Sequence, residues 1–262
     1  MEEITELAPR TKSEQEFTLA TKSPSEFAGM SKEDERKCRL FGTNLIQQSG
    51  ILLKLPQSVI SVAWVIFHRF YYNKTFMKCD WSIAALASLF ISTKIEEQPR
   101  KLRDTVSTFD YVKKILRGHE RPIPVLVFGS MNFTSLKKDA INAERYIMKS
   151  LGFILNIELP YSYLCEYIKI LQGTNRLRQK AWNYVNDAHK TIVVIWFPPN
   201  QVAVTAIEMA ARDLNYELPE CEWYKAFGVN DYKIIQIIGS EILRLYEIEM
   251  PEESYIKAWS SI

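Results

Sequence analysis

Lys94 is the residue whose placement asks for chemistry. Ile83, Ala87, Phe90 and Lys94 recur at spacings of four, three and four, which puts them on one stripe of a helix, and the fourth member of this apolar stripe is charged. An unpaired ammonium is costly to bury, so Lys94 snorkels at a helix end, finds an internal acceptor or serves a partner. Glu144 raises the same question at the border of a stripe made by Ile141, Met148 and Leu151. Acid and base are candidates to pair with one another, the usual fate of such groups. No other constellation carries chemistry. Cys38, Cys79, Cys165 and Cys221 stand far apart, with no C-x-x-C pair and no histidine at ligand spacing, and read as reduced intracellular thiols. His68, His119 and His189 share no spacing with acids that suggests metal binding or acid–base catalysis. With no Gly-rich phosphate loop, no G-x-S-x-G and no H-E-x-x-H, an enzyme reading has no residues to stand on, and no cofactor or metal is expected.

The elements that must position Lys94 and Glu144 belong to an ordinary globular composition. Of 262 residues, 47% are hydrophobic and 24% charged, and only nine glycines argue against a loop-rich or all-β design. A net charge of +2 makes no electrostatic case for nucleic acid as a direct partner. The start MEEITELAPR lacks the features of a signal peptide and no stretch approaches eighteen consecutive apolar residues, so no membrane association is expected.

Residues 1–31 are polar and read as an arm or loosely docked leader. Helices are then expected from Ser31 to Gly50, from Pro56 to about Asn73, and from Trp81 to Ile95. The last is apolar on nearly every side, as a helix surrounded by other helices must be. Pro99 breaks the pattern and opens a fourth helix to Leu116, and a fifth runs from about Ser135 to Leu151, stopped by Gly152. Five further helical segments follow, at Tyr161–Leu171, Leu177–Trp196, Pro199–Asn215, Glu222–Phe227 and Asp231–Glu247. The order repeats. Ile83-Ala84-Ala85-Leu86-Ala87 lies 119 positions before Val202-Ala203-Val204-Thr205-Ala206, and Ala63-Trp64 lies 118 before Ala181-Trp182. Two tandem five-helix domains are the simplest architecture. At the same offset the counterpart of Lys94 is Asp213, so the packing of the repeat does not itself require a lysine there. The run Arg100, Lys101, Arg103, Lys113, Lys114 and Arg117 reads as a solvated helix face.

From about residue 31 to 248 the sequence resembles the cyclins. That resemblance implies an all-α double cyclin box, with an N-terminal arm over 1–31, a first, kinase-binding box over 32–155, a second box over 156–250 and a tail over 251–262. Lys94 in Thr93-Lys94-Ile95-Glu96-Glu97 and Glu144 in Ala143-Glu144-Arg145 match the lysine and glutamate that anchor a cyclin to its kinase. Phe90, Ile91, Ile95, Leu102 and Val106 around them are candidates for the docking groove, although helical stripes of this kind are equally good core. Leu55-Pro56-Gln57, Phe67-His68-Arg69-Phe70-Tyr71-Tyr72 and Arg100-Lys101-Leu102-Arg103-Asp104 look like the transcription-associated subgroup. Arg117-Gly118-His119-Glu120-Arg121-Pro122 and Ala181-Trp182-Asn183-Tyr184-Val185-Asn186-Asp187 are similar to L-type cyclins, with K-type and T-type next.

Two departures stand out. His68 occupies the position of an aspartate that in cell-cycle cyclins pairs with the arginine matching Arg39, which puts that internal salt bridge in doubt. Cys38-Arg39-Leu40-Phe41-Gly42 replaces the docking patch of cell-cycle cyclins, so no docking of arginine-x-leucine motifs is expected.

The implied function is a regulatory subunit that binds and activates a cyclin-dependent kinase in transcription and pre-mRNA splicing. The kinase of type eleven is the first expectation and elongation-type kinases the next, with RNA polymerase II as the setting, a nuclear location, and splicing or transcription factors as further partners. L-type cyclins commonly continue into a tail rich in arginine and serine; residues 1–262 hold none. The alternatives are a module like the general transcription factors, binding DNA through the same two-repeat fold, and a scaffold without a kinase. The first wants a basic second repeat and the second an eroded Lys94 and Glu144.

Overall fold

A computed structural model describes residues 23–119, 122–219 and 221–248. Among them every regular element is helical, and the chain divides into two compact units between Asn156 and Ile157.

The first unit is built around the helix that carries Lys94. Its elements are α1 (Pro24–Phe27), α2 (Lys32–Leu52), α3 (Gln57–Asn73), α4 (Trp81–Ile95), α5 (Leu102–Leu116) and α6 (Met131–Ser150). α4 packs against α2, α3, α5 and α6, and every residue from Trp81 to Thr93 except Ile83 is buried. Small hydroxyl residues survive there because the helix satisfies them itself: Ser88 Oγ donates to Ala84 O at 2.8 Å, Ser92 Oγ to Leu89 O at 2.8 Å and Thr93 Oγ1 to Phe90 O at 2.7 Å. Asp80 caps the start, its Oδ1 accepting from Ser82 N and Ile83 N. At the other end Glu97 N donates to Lys94 O and Gln98 N to Thr93 O, with Glu97 left-handed at φ 54°. This is a Schellman closure, and it stops the helix before Pro99 is reached.

Proline was expected to open the next helix, but α5 begins three residues later, at Leu102. Arg100 holds the connection off the helical path by donating to Leu53 O at 3.3 Å and Lys54 O at 3.4 Å. α6 starts at Met131, ahead of the expected Ser135, because Ser130 is the residue whose hydroxyl caps Phe133 N. Part of the basic run is not a solvated face either. Lys113 is largely buried, its Nζ donating to Ser82 Oγ at 2.6 Å, and burial lowers its pKa.

The internal pair placed in doubt by His68 is replaced by another. Arg39 bonds Glu35, one turn earlier on α2, at 2.6 Å from Nη2 and 3.0 Å from Nε, and both side chains are buried. Its Nη2 also donates to Tyr71 O at 3.0 Å and its Nη1 to His68 Nδ1 at 3.3 Å. A guanidinium only donates, so Nδ1 accepts and the imidazole proton sits on Nε2. Ser23 donates to the same Glu35 carboxylate, and Phe76 N donates to Ser25 Oγ at 3.2 Å. The end of the expected leader is therefore docked as α1, while residues 1–22 lie outside those described. Cys38, Arg39, Leu40 and Phe41 are buried, and a Cβ on Gly42 would stand 2.3 Å from the Phe67 ring, so only glycine allows α2 and α3 to approach this closely.

The second unit repeats the plan with less regularity. It holds α7 (Pro160–Ile170), α8 (Asn175–Ala188), α9 (Val193–Trp196), α10 (Pro199–Leu214), a 3-10 turn at Trp223–Phe227 and α11 (Tyr232–Arg244). α10 is central, against α7, α8 and α11. The single helix expected over Leu177–Trp196 is broken after Ala188. The break falls at 189–192, where Thr191 Oγ1 donates to the Ala188 carbonyl, and the chain returns to helix for one turn at α9.

Candidate functional site

Lys94 leaves the last turn of α4 and Glu144 lies on the α4-facing side of α6, among the buried Ala140, Ala143 and Ile147. Lys94 Nζ donates to Glu144 Oε1 and sits 4.1 Å from the centre of the Phe90 ring one turn back. The two partners are unequally exposed: the lysine side chain is 49% exposed and the glutamate 12%. A carboxylate set into the protein thus holds an ammonium at its mouth, with an aromatic face beneath. Of the three possibilities open to Lys94, the internal acceptor is present. The ammonium has three donors, and half its surface still faces solvent.

The flanking candidates separate by depth. Ile91, at 2% exposure, and Val106, fully buried, are core; Phe90 lies just below the surface at 9%; Ile95 and Leu102 are half-buried. Ile91 and Val106 therefore support the site from beneath. The stripe that borders Glu144 reaches the surface, and two apolar residues that no stripe selected follow α6. Ile141 and Met148 lie three before and four after Glu144, on its side of α6, and Ile141 is exposed. Phe153 and Ile154, directly after the helix, are 67% and 45% exposed. The available signal for them was an apolar pair placed just past the stop at Gly152, where no stripe continues.

Nothing at this site points to catalysis. Among the described residues no cluster of His, Cys, Asp and Glu could hold a metal ion, and no helix is long and apolar enough to cross a membrane. Burial pushes the Cys38 thiol up to about 12 and that of Cys79 to about 11, which keeps both protonated and unreactive. The site consists of one cation, one carboxylate, one ring face and an apolar margin.

Residues 11–156 match the family described as Cyclin, N-terminal domain. The chain belongs to the cyclin family. Over 232 residues this cyclin is 38% identical to human Cyclin-L1, covering 87% of the chain and 43% of that protein. With human Cyclin-L2 the identity is 36% over 227 residues, 86% of the chain and 43% of the relative. The cyclin therefore spans less than half the length of these curated relatives. Among solved structures it is similar to a chain of the yeast RNA Pol II CTD kinase CTDK-1 complex, at a TM-score of 0.67 and 16% identity, covering 87% of this chain and 81% of that one. A chain of the Chaetomium thermophilum CAK complex bound to ATP-gamma-S matches with a TM-score of 0.57 and 15% identity, covering 88% and 68%. At those identities the likeness concerns the fold, which is the all-α double box. Cyclins are regulatory subunits of kinases and not themselves enzymes.

Proposed function

We propose that this cyclin binds and activates a cyclin-dependent kinase through the face of its first unit centred on Lys94 and Glu144, and that the kinase acts in transcription and pre-mRNA splicing. The half-exposed Lys94, seated on Phe90 and tied to the deeper Glu144, carries the reading. An isolated surface lysine gains little by such an arrangement, whereas a cation oriented by a buried carboxylate is ready to donate to a partner's backbone carbonyl. Each charge-assisted hydrogen bond desolvated on docking contributes about 1.5–3 kcal/mol. Phe90, Ile95 and Leu102, with Ile141 and the newly evident Phe153 and Ile154, supply the apolar margin, and Ile91 and Val106 hold it rigid.

Activation is then a population shift. A kinase of this class alone keeps its regulatory helix displaced, so the lysine and glutamate that orient the ATP phosphates do not pair; a cyclin that binds only the inward position of that helix selects the active state. The relation to Cyclin-L1 and Cyclin-L2 supports a kinase of the type-eleven class, a nuclear location and splicing or transcription factors as further partners. The likeness to a subunit of an RNA polymerase II tail kinase agrees with that setting.

The test is co-purification with a panel of cyclin-dependent kinases, scored by phosphorylation of an RNA polymerase II tail peptide. One kinase is expected to be retained and activated, and Lys94→Glu or Glu144→Lys to abolish both with helical content unchanged. Retention of every kinase by the reversed variants, or of none by the unaltered chain, refutes the reading.

A further inference from the structure

Ser23 is the single serine or threonine of the chain that a proline follows. Proline has no N–H, so an enzyme whose site offers no acceptor to the residue after the hydroxyl takes Ser23-Pro24 without penalty, whereas any other residue there leaves a buried donor unpaired. That is the substrate chemistry of a proline-directed protein kinase.

The hydroxyl that such a kinase would modify also holds the leader in place. Ser23 Oγ accepts from Glu26 N at 3.1 Å, which starts α1, and donates to Glu35 Oε2 on α2. Two residues on, the fully buried Ser25 accepts from Phe76 N at 3.2 Å through its Oγ. Little else fastens α1. It is four residues long, Phe27 is 78% exposed, and Met30 just beyond it is the buried apolar anchor. A segment attached so lightly opens locally while the rest stays folded, and the opened segment presents Ser23 to a kinase.

Phosphate on Ser23 opposes the return. The esterified oxygen no longer donates, and a group of about −1.5 to −2 charge meets the buried Glu35 carboxylate. The counterion of that carboxylate is Arg39, whose donors are committed: Nε and Nη2 to Glu35, Nη2 also to Tyr71 O, and Nη1 to His68 Nδ1 and the His68 carbonyl. Lys32 is engaged 4.0 Å from Glu26. The opposing benefit, an anion at a helix N-terminus, is small because the dipoles of only four residues add up. Repulsion at Glu35 therefore outweighs capping.

We propose that Ser23 is a phosphorylation site for a proline-directed kinase and that the phosphate releases α1 from the first unit. The γ-phosphoryl of ATP passes to Ser23 Oγ, its bond to the bridging oxygen of the β-phosphate breaks, the hydroxyl proton leaves to the kinase's base, and ADP departs. The proposal does not rest on the function proposed for Lys94 and Glu144. The full chain is incubated with ATP and a mitogen-activated protein kinase, a proline-directed enzyme, and its phosphates are mapped by mass spectrometry. Amide exchange at Phe76, followed by NMR, then reports on α1, since that N–H is bonded to Ser25. Phosphate is expected on Ser23, and exchange at Phe76 should quicken about tenfold or more while the amides of α4 stay protected. Ser23→Ala loses the hydroxyl bond without adding charge and should quicken it less. Absence of phosphate from Ser23 overturns the proposal. So does phosphate there with exchange at Phe76 unchanged or slowed, which makes the group a cap, or an equal effect of Ser23→Ala, which leaves the added charge no role.

Discussion

The last turns of the two central helices carry opposite charges at equivalent positions. Lys94 ends α4 and reaches Glu144 on α6; Asp213 ends α10 and is bonded by Lys180 at 2.8 Å and by the Tyr184 hydroxyl, both on α8. Burial separates the pairs. Glu144 is 12% exposed, whereas the Lys180 and Asp213 side chains are 40% and 43% exposed. The backbone position tolerates either sign, and the neighbouring helix decides which partner is in reach. Of these two equivalent pairs only the first has one charge sunk while the other is held at the surface, although Arg212–Glu208 and Arg244–Glu241 show the same asymmetry elsewhere in the second unit. That difference in burial separates the first pair from the solvated second one and supports the proposed role of the first.

The largest expected effect comes from exchanging the two residues of the first pair. Lys94→Glu combined with Glu144→Lys remakes the internal pair with its polarity inverted, so denaturant unfolding of the first unit should change by no more than about 1 kcal/mol. Kinase affinity should fall by about 3–6 kcal/mol, a hundredfold or more, because two charge-assisted contacts are now mismatched. Calorimetry of kinase binding beside chemical denaturation separates the two quantities. Should the double exchange restore the binding lost in either single variant, the pair serves packing and the contrast between the units disappears.

The second effect belongs to the other unit. His189 is fully buried, stacked on Tyr161 at 5.4 Å with the ring planes 3° apart, and its Nδ1 donates to Val185 O at 2.7 Å. Burial holds its pKa down to about 4, against 6.5 for the free side chain. Between those values the unfolded chain binds more protons than the folded one. The stabilisation is therefore whole above pH 6.5 and is lost as pH falls toward 4, by about 3 kcal/mol in total. Thermal melts of the second unit at pH 7 and pH 4.5 should show the loss, and His189→Phe should flatten the dependence. An unchanged slope in that variant would place the acid sensitivity elsewhere.

The sequence carried the architecture because burial leaves a periodic trace. α4 is legible from Ile83 to Ile95 since a helix enclosed by four others has almost no face left for charge, and Ser31 is a cap of the usual residue type, whereas the periodicity passes over Ser130, equally ordinary as a cap, for a start at Ser135. What it did not carry were features set by contacts distant in sequence. The late start of α5 depends on carbonyls of Leu53 and Lys54, and the orientation of Arg39 on His68 and the Tyr71 carbonyl, 29 and 32 residues away. Lys94 was found by its misfit in a stripe, but Phe153 and Ile154 lie beyond the helix and outside any period. The bonds of Ser23 to Glu35 and of Ser25 to the Phe76 N–H span 12 and 51 residues, and only folding brings their partners together.

The smallest effect should come from the solvated pair. Lys180 and Tyr184 lower the pKa of Asp213, the lysine hydrogen bond contributing most. A lowered carboxylate stabilises above its ordinary value of 3.8 and loses that contribution as pH falls further through the folded value. With both side chains about two-fifths exposed, solvent screens the interaction, and Asp213→Asn at pH 7 should cost less than about 1 kcal/mol. Added salt should shrink even that, while kinase binding stays untouched because the residue lies in the other unit. A cost above about 3 kcal/mol, or a drop in kinase activation, would mean that Asp213 is as deeply engaged as Glu144. The two helix ends would then differ in sign alone and not in purpose.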